Sequence, residues 1–230
     1  MRILVTGSSG QFGQRLMPAL AQAGHTGVPF DIRLGHDACD REQVARALQG
    51  AQAVIHLAAI PWGRPDKSAK QYWQTNVQST HVVAGCAAAK NVGRMILASS
   101  TGYYGFQRDF PFGDVPAWIG SANVIQRYAS ESVELPNMKD LANQGRIAYM
   151  TSKVAAEAAL AMYSLAGLLH GVILRFAPVT PEVYEWGLQC TPERACAAMM
   201  EAIEAPYVSA LEMYNIGEPC EMLDTEVHDD

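Results

Sequence analysis

The chain has no cluster of Lys and Arg, no pairing of His with Cys, Asp or Glu at metal-ligand spacing, no internal repeat and no low-complexity segment. Each absence excludes something. With 17 basic against 23 acidic residues, a net charge of −6, there is no basic face to meet a nucleic acid. The apolar stretch from Val154 to Leu174 is interrupted by Glu157, Gly167, His170 and Gly171, so it reads as a buried helix followed by a buried strand and not as a membrane span. The cysteines, Cys39, Cys86, Cys190, Cys196 and Cys220, are odd in number and scattered, which fits a reducing cytoplasm better than a disulfide framework. Met1 leads straight into strand residues, without the charged and apolar regions of a signal peptide. No metal is expected, and His56, inside an apolar run, is expected in the core. The acidic tail after Cys220 is expected to be solvated.

At 230 residues and 49% hydrophobic, the chain suits one α/β domain with a small appendage. Apolar runs predict strands at Arg2–Thr6, Gly27–Asp31, Ala53–Leu57, Arg94–Ser99 and Gly171–Arg175. Helical spacing predicts Gln11–Ala23, Arg41–Leu48, Ala69–Lys90, Ala148–Leu165 and Pro192–Ala205. This alternation implies a Rossmann-type, doubly wound parallel sheet. Only the segment 106–146 breaks the rhythm, with Phe106, Phe110, Phe112, Trp118 and Tyr128 set among Pro, Gly and charged residues. It fits either a substrate lid or a satellite hydrophobic cluster.

Gly7, Gly10 and Gly13 stand between the first strand and the first helix, where backbone N–H groups and the helix dipole favour a pyrophosphate. Asp31 closes the next strand; there it either serves as a turn residue or accepts both ribose hydroxyls, and in the second case it repels a 2′-phosphate and selects NAD over NADP. Tyr149 and Lys153 are four apart on one helix face, so the ammonium favours the phenolate and brings proton exchange nearer neutral pH. Ser99 and Ser100 end the fourth strand, at the carboxyl edge where ligands of such sheets bind.

Taken in order, these motifs resemble the extended short-chain dehydrogenase/reductase superfamily, in particular its NAD-dependent epimerase/dehydratase group. The resemblance rests on Thr6 to Gly13, Asp37 to Asp40, His56 to Ala59, Asn76-Val77, Ser99-Ser100 with Tyr104-Gly105, Tyr149 with Lys153, and Arg175-Phe176. It implies a cofactor site of Gly7, Ser9, Gly10, Gln11, Phe12, Gly13, Asp31, Asp37, Ala38, Leu57, Ala58, Ala59, Asn76 and Ser99, shared with Tyr149 and Lys153. Within it Asp37 would reach the adenine amino group, Ser100 would be the catalytic Ser/Thr, Tyr149 the general acid/base, and Lys153 its support and a ligand of the nicotinamide ribose. Substrate is expected against Ser100, Tyr149 and Arg175, although Arg175 fits a strand-end role equally well.

The chain also departs from the family pattern. The run from Ser100 to Tyr149 is unusually long, and Pro178 to Pro181 and Thr191 to Arg194 stand where a longer substrate-binding segment is usual. The expected domains are therefore 1–178, with an insertion at 106–146, and a reduced substrate-binding region at 179–230. Thr101-Gly102 replaces the acidic pair of the dehydratases, which disfavours dehydration and leaves a sugar, uronate or nucleotide-sugar dehydrogenase or epimerase. The other class is a non-catalytic NAD(H) sensor of the same fold. By the same resemblance, a homodimer is expected through the Tyr149 helix and the long helix before it.

Overall fold

In the computed structural model, residues 1–62, 64, 66–101, 141–179 and 188–219 are described. Strands β1 (Arg2–Thr6), β3 (Ala53–His56), β4 (Arg94–Ser100) and β5 (His170–Phe176) are near-continuous apolar runs, as befits parallel strands covered on both faces. With β2 (Thr26–Phe30) and β7 (Leu211–Ile216) they form one parallel six-stranded sheet in the order β2-β1-β3-β4-β5-β7. Pro29 sits in β2, which pairs only with β1; an edge strand tolerates the missing donor. A short antiparallel pair, β6 (Leu188–Gln189) with β8 (Glu218–Pro219), lies outside the sheet.

Side chains alternate between two cores, as a period of two requires. Ile3, Val5, Ile55, Ile96 and Val172 meet α1 (Gln11–Gln22) and α6 (Pro192–Glu204), which supply Leu16, Leu20, Ala195 and Met199. Leu4, Val54, Met95, Leu97 and Ile173 meet the other layer, made by α2 (Arg41–Ala47), α4 (Ser79–Ala89) and α5 (Leu141–Leu165). A shorter helix, α3 (Ala69–Tyr72), runs into α4 through a π-helical turn at Trp73–Gln78, so the single helix expected over Ala69–Lys90 is interrupted there.

Three further expectations are corrected. Helix α5 begins at Leu141, inside the segment assigned to the insertion. Strand β7 adds a sixth strand to the five expected. Finally, α6 and β7 complete the sheet and share its core through Cys190, Met199, Ile203 and Ile216, so a boundary at 178 does not set them apart. The expected aromatic lid up to 140 and the acidic tail lie outside the described residues.

The winding direction reverses between β1 and β3. Ligands of open α/β sheets bind in the crevice at such a point.

Candidate functional site

The loop after β1 is fixed from both sides. Gly7 N–H donates to the Phe30 carbonyl at 2.8 Å, Phe30 N–H to Ser8 Oγ at 3.1 Å, and Ser9 N–H to Asp31 Oδ2 at 2.9 Å. Gly7 has φ +70°, and a Cβ there would lie 2.7 Å from the Ala58 nitrogen, so only glycine fits between the β1 and β3 loops. A Cβ on Gly13 would strike the Gly7 carbonyl oxygen at 2.5 Å. No side chain caps α1, whereas Asp40, Ser68 and Thr191 cap α2, α3 and α6. The first turn of α1 thus leaves N–H groups for an anion.

A cleft of about 720 Å³ opens from this loop. Gly7, Gly10, Asp31, Asp37, Ala38, Leu57, Ala58 and Ala59 line it, as expected for a dinucleotide, together with Arg33, His36 and Lys67. Asp31 accepts from Arg33 N–H through Oδ1 at 2.9 Å while its Oδ2 holds the glycine loop, and Arg33 Nη1 reaches the Ser9 carbonyl at 3.0 Å. Asp37 Oδ1 accepts from Cys39 N–H at 2.8 Å.

Of the other expected cofactor residues, Phe12, Ser99, Gln11 and Asn76 are not in the cleft lining. Phe12 packs on Phe176 in the core, with ring centroids 5.3 Å apart, and the Ser99 hydroxyl points to Glu157. Gln11 is exposed in the first turn of α1. Asn76 is buried in the π-helical turn: Oδ1 accepts from Ile60 N–H at 2.7 Å, and Nδ2 donates to the Ile60 carbonyl at 3.2 Å and to Ser152 Oγ at 2.8 Å. Ser152 Oγ donates in turn to the Tyr149 carbonyl at 2.6 Å. Asn76 therefore joins the cleft wall at Ile60 to the helix of Tyr149.

Ser100, Tyr149 and Lys153 meet at the carboxyl end of β4. The Ser100 side chain hydrogen-bonds the Tyr149 phenol, and Lys153 Nζ donates to the Ala98 carbonyl at 2.9 Å with the ammonium 5.7 Å from the Tyr149 ring centroid. Both residues are buried. Burial pushes the phenol above its ordinary value, opposed by the Ser100 bond, so the structure corrects the expectation of a lowered phenol. Lys153 is pushed down to about 8 by burial, against the pull of Glu157. Trp62 and Tyr72 stand edge-on to Tyr149, at 5.6 and 6.2 Å between centroids. No spacing in the sequence singles these two out.

Arg175 is also corrected. Its guanidinium is buried against Glu157, Nε at 3.0 and 3.1 Å and Nη2 at 2.6 Å from the carboxylate oxygens, because a cation at that depth must be paired. This places it beneath the site as a partner of Glu157. Sequence reading gave Glu157 no place in the site, although it stands one helical turn from Lys153. His56 is in the core as expected, hydrogen-bonded to Thr6 Oγ1 at 2.7 Å and Ser79 Oγ at 3.2 Å, and burial drives it down to about 3. Among the described residues no group of His, Cys, Asp and Glu is placed to hold a metal ion, and no helix is long and apolar enough to cross a membrane.

Residues 3–185 match the model of the NAD dependent epimerase/dehydratase family. The chain belongs to that family. Its sequence is 32% identical over 114 residues to a 2-alkyl-3-oxoalkanoate reductase of Stenotrophomonas maltophilia, covering 44% of this chain and 33% of that one. It is 31% identical over 106 residues to an L-arabinose 1-dehydrogenase (NAD(P)(+)) of Haloferax volcanii, covering 43% and 41%. These matches span less than half of either relative. Among solved structures, MoeE5 in complex with UDP-glucuronic acid and NAD superposes with a TM-score of 0.69 at 21% identity, covering 94% of this chain and 76% of that one. UDP-glucuronic acid 4-epimerase from Bacillus cereus, in complex with NAD, gives 0.67 at 19% identity over 94% and 78%. At these identities the superpositions establish the shared fold.

Proposed function

We propose that this member of the NAD-dependent family is an oxidoreductase or epimerase acting on a hydroxyl of a sugar, uronate or nucleotide sugar, with Tyr149 as general acid/base. The observation that carries this reading is the convergence of Ser100, Tyr149 and Lys153 at the carboxyl end of β4. The cleft beside it fits a dinucleotide: an uncapped α1, two glycines in the wall, and Asp31 and Asp37 farther along. When bound, NAD supplies a hydride acceptor, or in its reduced form a donor, for a carbon of the substrate.

The residues of this chain supply position and a proton. Buried and raised, Tyr149 is a phenol at neutral pH, suited to returning a proton to a carbonyl oxygen. In the opposite direction it takes the hydroxyl proton, and the Ser100 bond and the Lys153 ammonium support the phenolate. Ser100 is placed to hold the same substrate oxygen. One relative supports a sugar by name, the L-arabinose 1-dehydrogenase, whereas the 2-alkyl-3-oxoalkanoate reductase does not.

We also propose a homodimer through α4 and α5; Val154 and Met162 of α5 are exposed, as is Trp73 in the π-helical turn that leads into α4.

Acid extraction of the purified protein followed by a panel of aldoses, uronates and UDP-sugars tests the reading. Retained stoichiometric NAD(H) with interconversion of a sugar epimer indicates an epimerase, and NADH released in step with sugar oxidation a dehydrogenase. The alternative is a non-catalytic NAD(H) sensor of the same fold. Binding of NAD with no turnover on any panel member supports that alternative.

A further inference from the structure

Ala98, Ser99 and Ser100, consecutive at the end of β4, each hold a different polar side chain of α5. Ser100 bonds Tyr149, the Ala98 carbonyl accepts from Lys153, and Ser99 Oγ donates to Glu157 Oε1 at 2.5 Å. Tyr149, Lys153 and Glu157 are spaced i, i+4 and i+8, one face of the helix. Proton transfer uses the first two and leaves the third without a role.

Glu157 is 4% exposed, and Arg175 reaches it from β5 with two nitrogens. An ion pair at that depth is frequently no more stabilising than apolar side chains of similar size, so stability alone does not account for it. What the pair does achieve is to fix a carboxylate one helical turn from the ammonium of Lys153.

We propose that Glu157, clamped by Arg175 and Ser99, is a positioning residue that keeps Lys153 charged and docked on β4. This rests on Tyr149 and Lys153 being the proton-transfer pair. Burial draws Lys153 toward neutrality and Glu157 opposes it. Among the described residues, the other groups facing Lys153 do not replace that charge. From β3 comes His56, neutral at physiological pH; from α5 itself comes Tyr149, with Tyr72 of α3 packed against it. From β4 come a carbonyl and two hydroxyls, and from β5 Arg175, whose own charge is met by Glu157.

Carbon-13 NMR of protein labelled at lysine Cε tests this without cofactor or substrate, so its outcome is separate from any turnover assay. The chain has only Lys67, Lys70, Lys90, Lys139 and Lys153, and the last is assigned by its loss in Lys153→Met. In the unsubstituted protein, with Lys153 pushed down to about 8 by burial, its titration is expected near that value. Removing Glu157 alone strands a buried cation and risks unfolding, so the main variant pairs Glu157→Met with Arg175→Met. Its Lys153 midpoint falls by about one pH unit or more, a tenfold lower proton affinity. Glu157→Asp keeps the charge but withdraws it by one methylene, and gives an intermediate midpoint. A Lys153 midpoint unchanged in either variant overturns the proposal, as does an equal fall in Ser99→Ala, which leaves both charges in place.

Discussion

Asp31 shows how one side chain serves fold and ligand together. One oxygen holds Ser9 of the glycine loop and the other caps the turn at Ile32–Leu34, while the residue lines the cleft. Asp31→Ser is expected to weaken NAD binding by about tenfold to a hundredfold, the size of a lost charge-assisted hydrogen bond, and to narrow discrimination against NADP. Calorimetric titration with both dinucleotides measures this. His56 carries a different prediction. Its value falls from 6.5 to about 3 on folding, so the unfolded chain binds the extra proton between those limits and stability rises with pH across that window. Acidification from pH 6.5 toward 4 therefore lowers stability, by at most about 1.4 kcal/mol per pH unit from this group. Urea titrations of His56→Gln at several pH values are expected to show a flatter slope. At this scale the glycines, Ser100, Tyr149 and Lys153 were legible because their chemistry depends on spacing along the chain. The partners of Arg175 and Ser99 were not, since Glu157 meets them only when β4, β5 and α5 pack together.

Among the elements, the π-helical turn at Trp73–Gln78 is where sequence pattern and structure part most usefully. Its residues have helical spacing, and nothing in the run announces an extra residue in the turn. The turn brings Asn76 inward, where it clamps Ile60 of the β3 loop to Ser152 of α5. Asn76→Ala leaves the Ile60 peptide and the Ser152 hydroxyl without that partner. It is expected to cost about 2–4 kcal/mol in denaturant unfolding and to raise KM for the dinucleotide more than a surface substitution does. Strand β7 escaped notice for a related reason. Glu212 interrupts its apolar run, and its carboxylate is met by His170 of β5 at 2.7 Å and by the Tyr214 hydroxyl, two residues on in the same strand, at 2.5 Å. Strands β1, β3 and β5, with their runs of Ile, Val and Leu, were plain in the sequence, whereas the two-residue strands β6 and β8 were not foreseen.

For the molecule as a whole, the C-terminal elements α6 and β7 are part of the sheet's own architecture. Arg94 of β4 binds the carbonyls of Ala202, Ile203 and Ala205 at 2.6, 3.0 and 2.7 Å, tying the end of α6 to the sheet floor. With Val154 and Met162 of α5 and Trp73 of the π-helical turn exposed, the proposed homodimer predicts a species of about 50 kDa from the 24.9 kDa chain by light scattering. Trp73→Glu with Met162→Glu is expected to shift it to monomer.

The central claim is that Tyr149 moves the proton in an NAD-dependent reaction. The most direct measurement compares Tyr149→Phe with the unsubstituted protein, scoring turnover on the sugar panel beside the affinity for NAD. The account predicts turnover lower by a factor of about a hundred to ten thousand, the usual worth of a general acid/base, with NAD affinity retained. Near-normal turnover in Tyr149→Phe would contradict it.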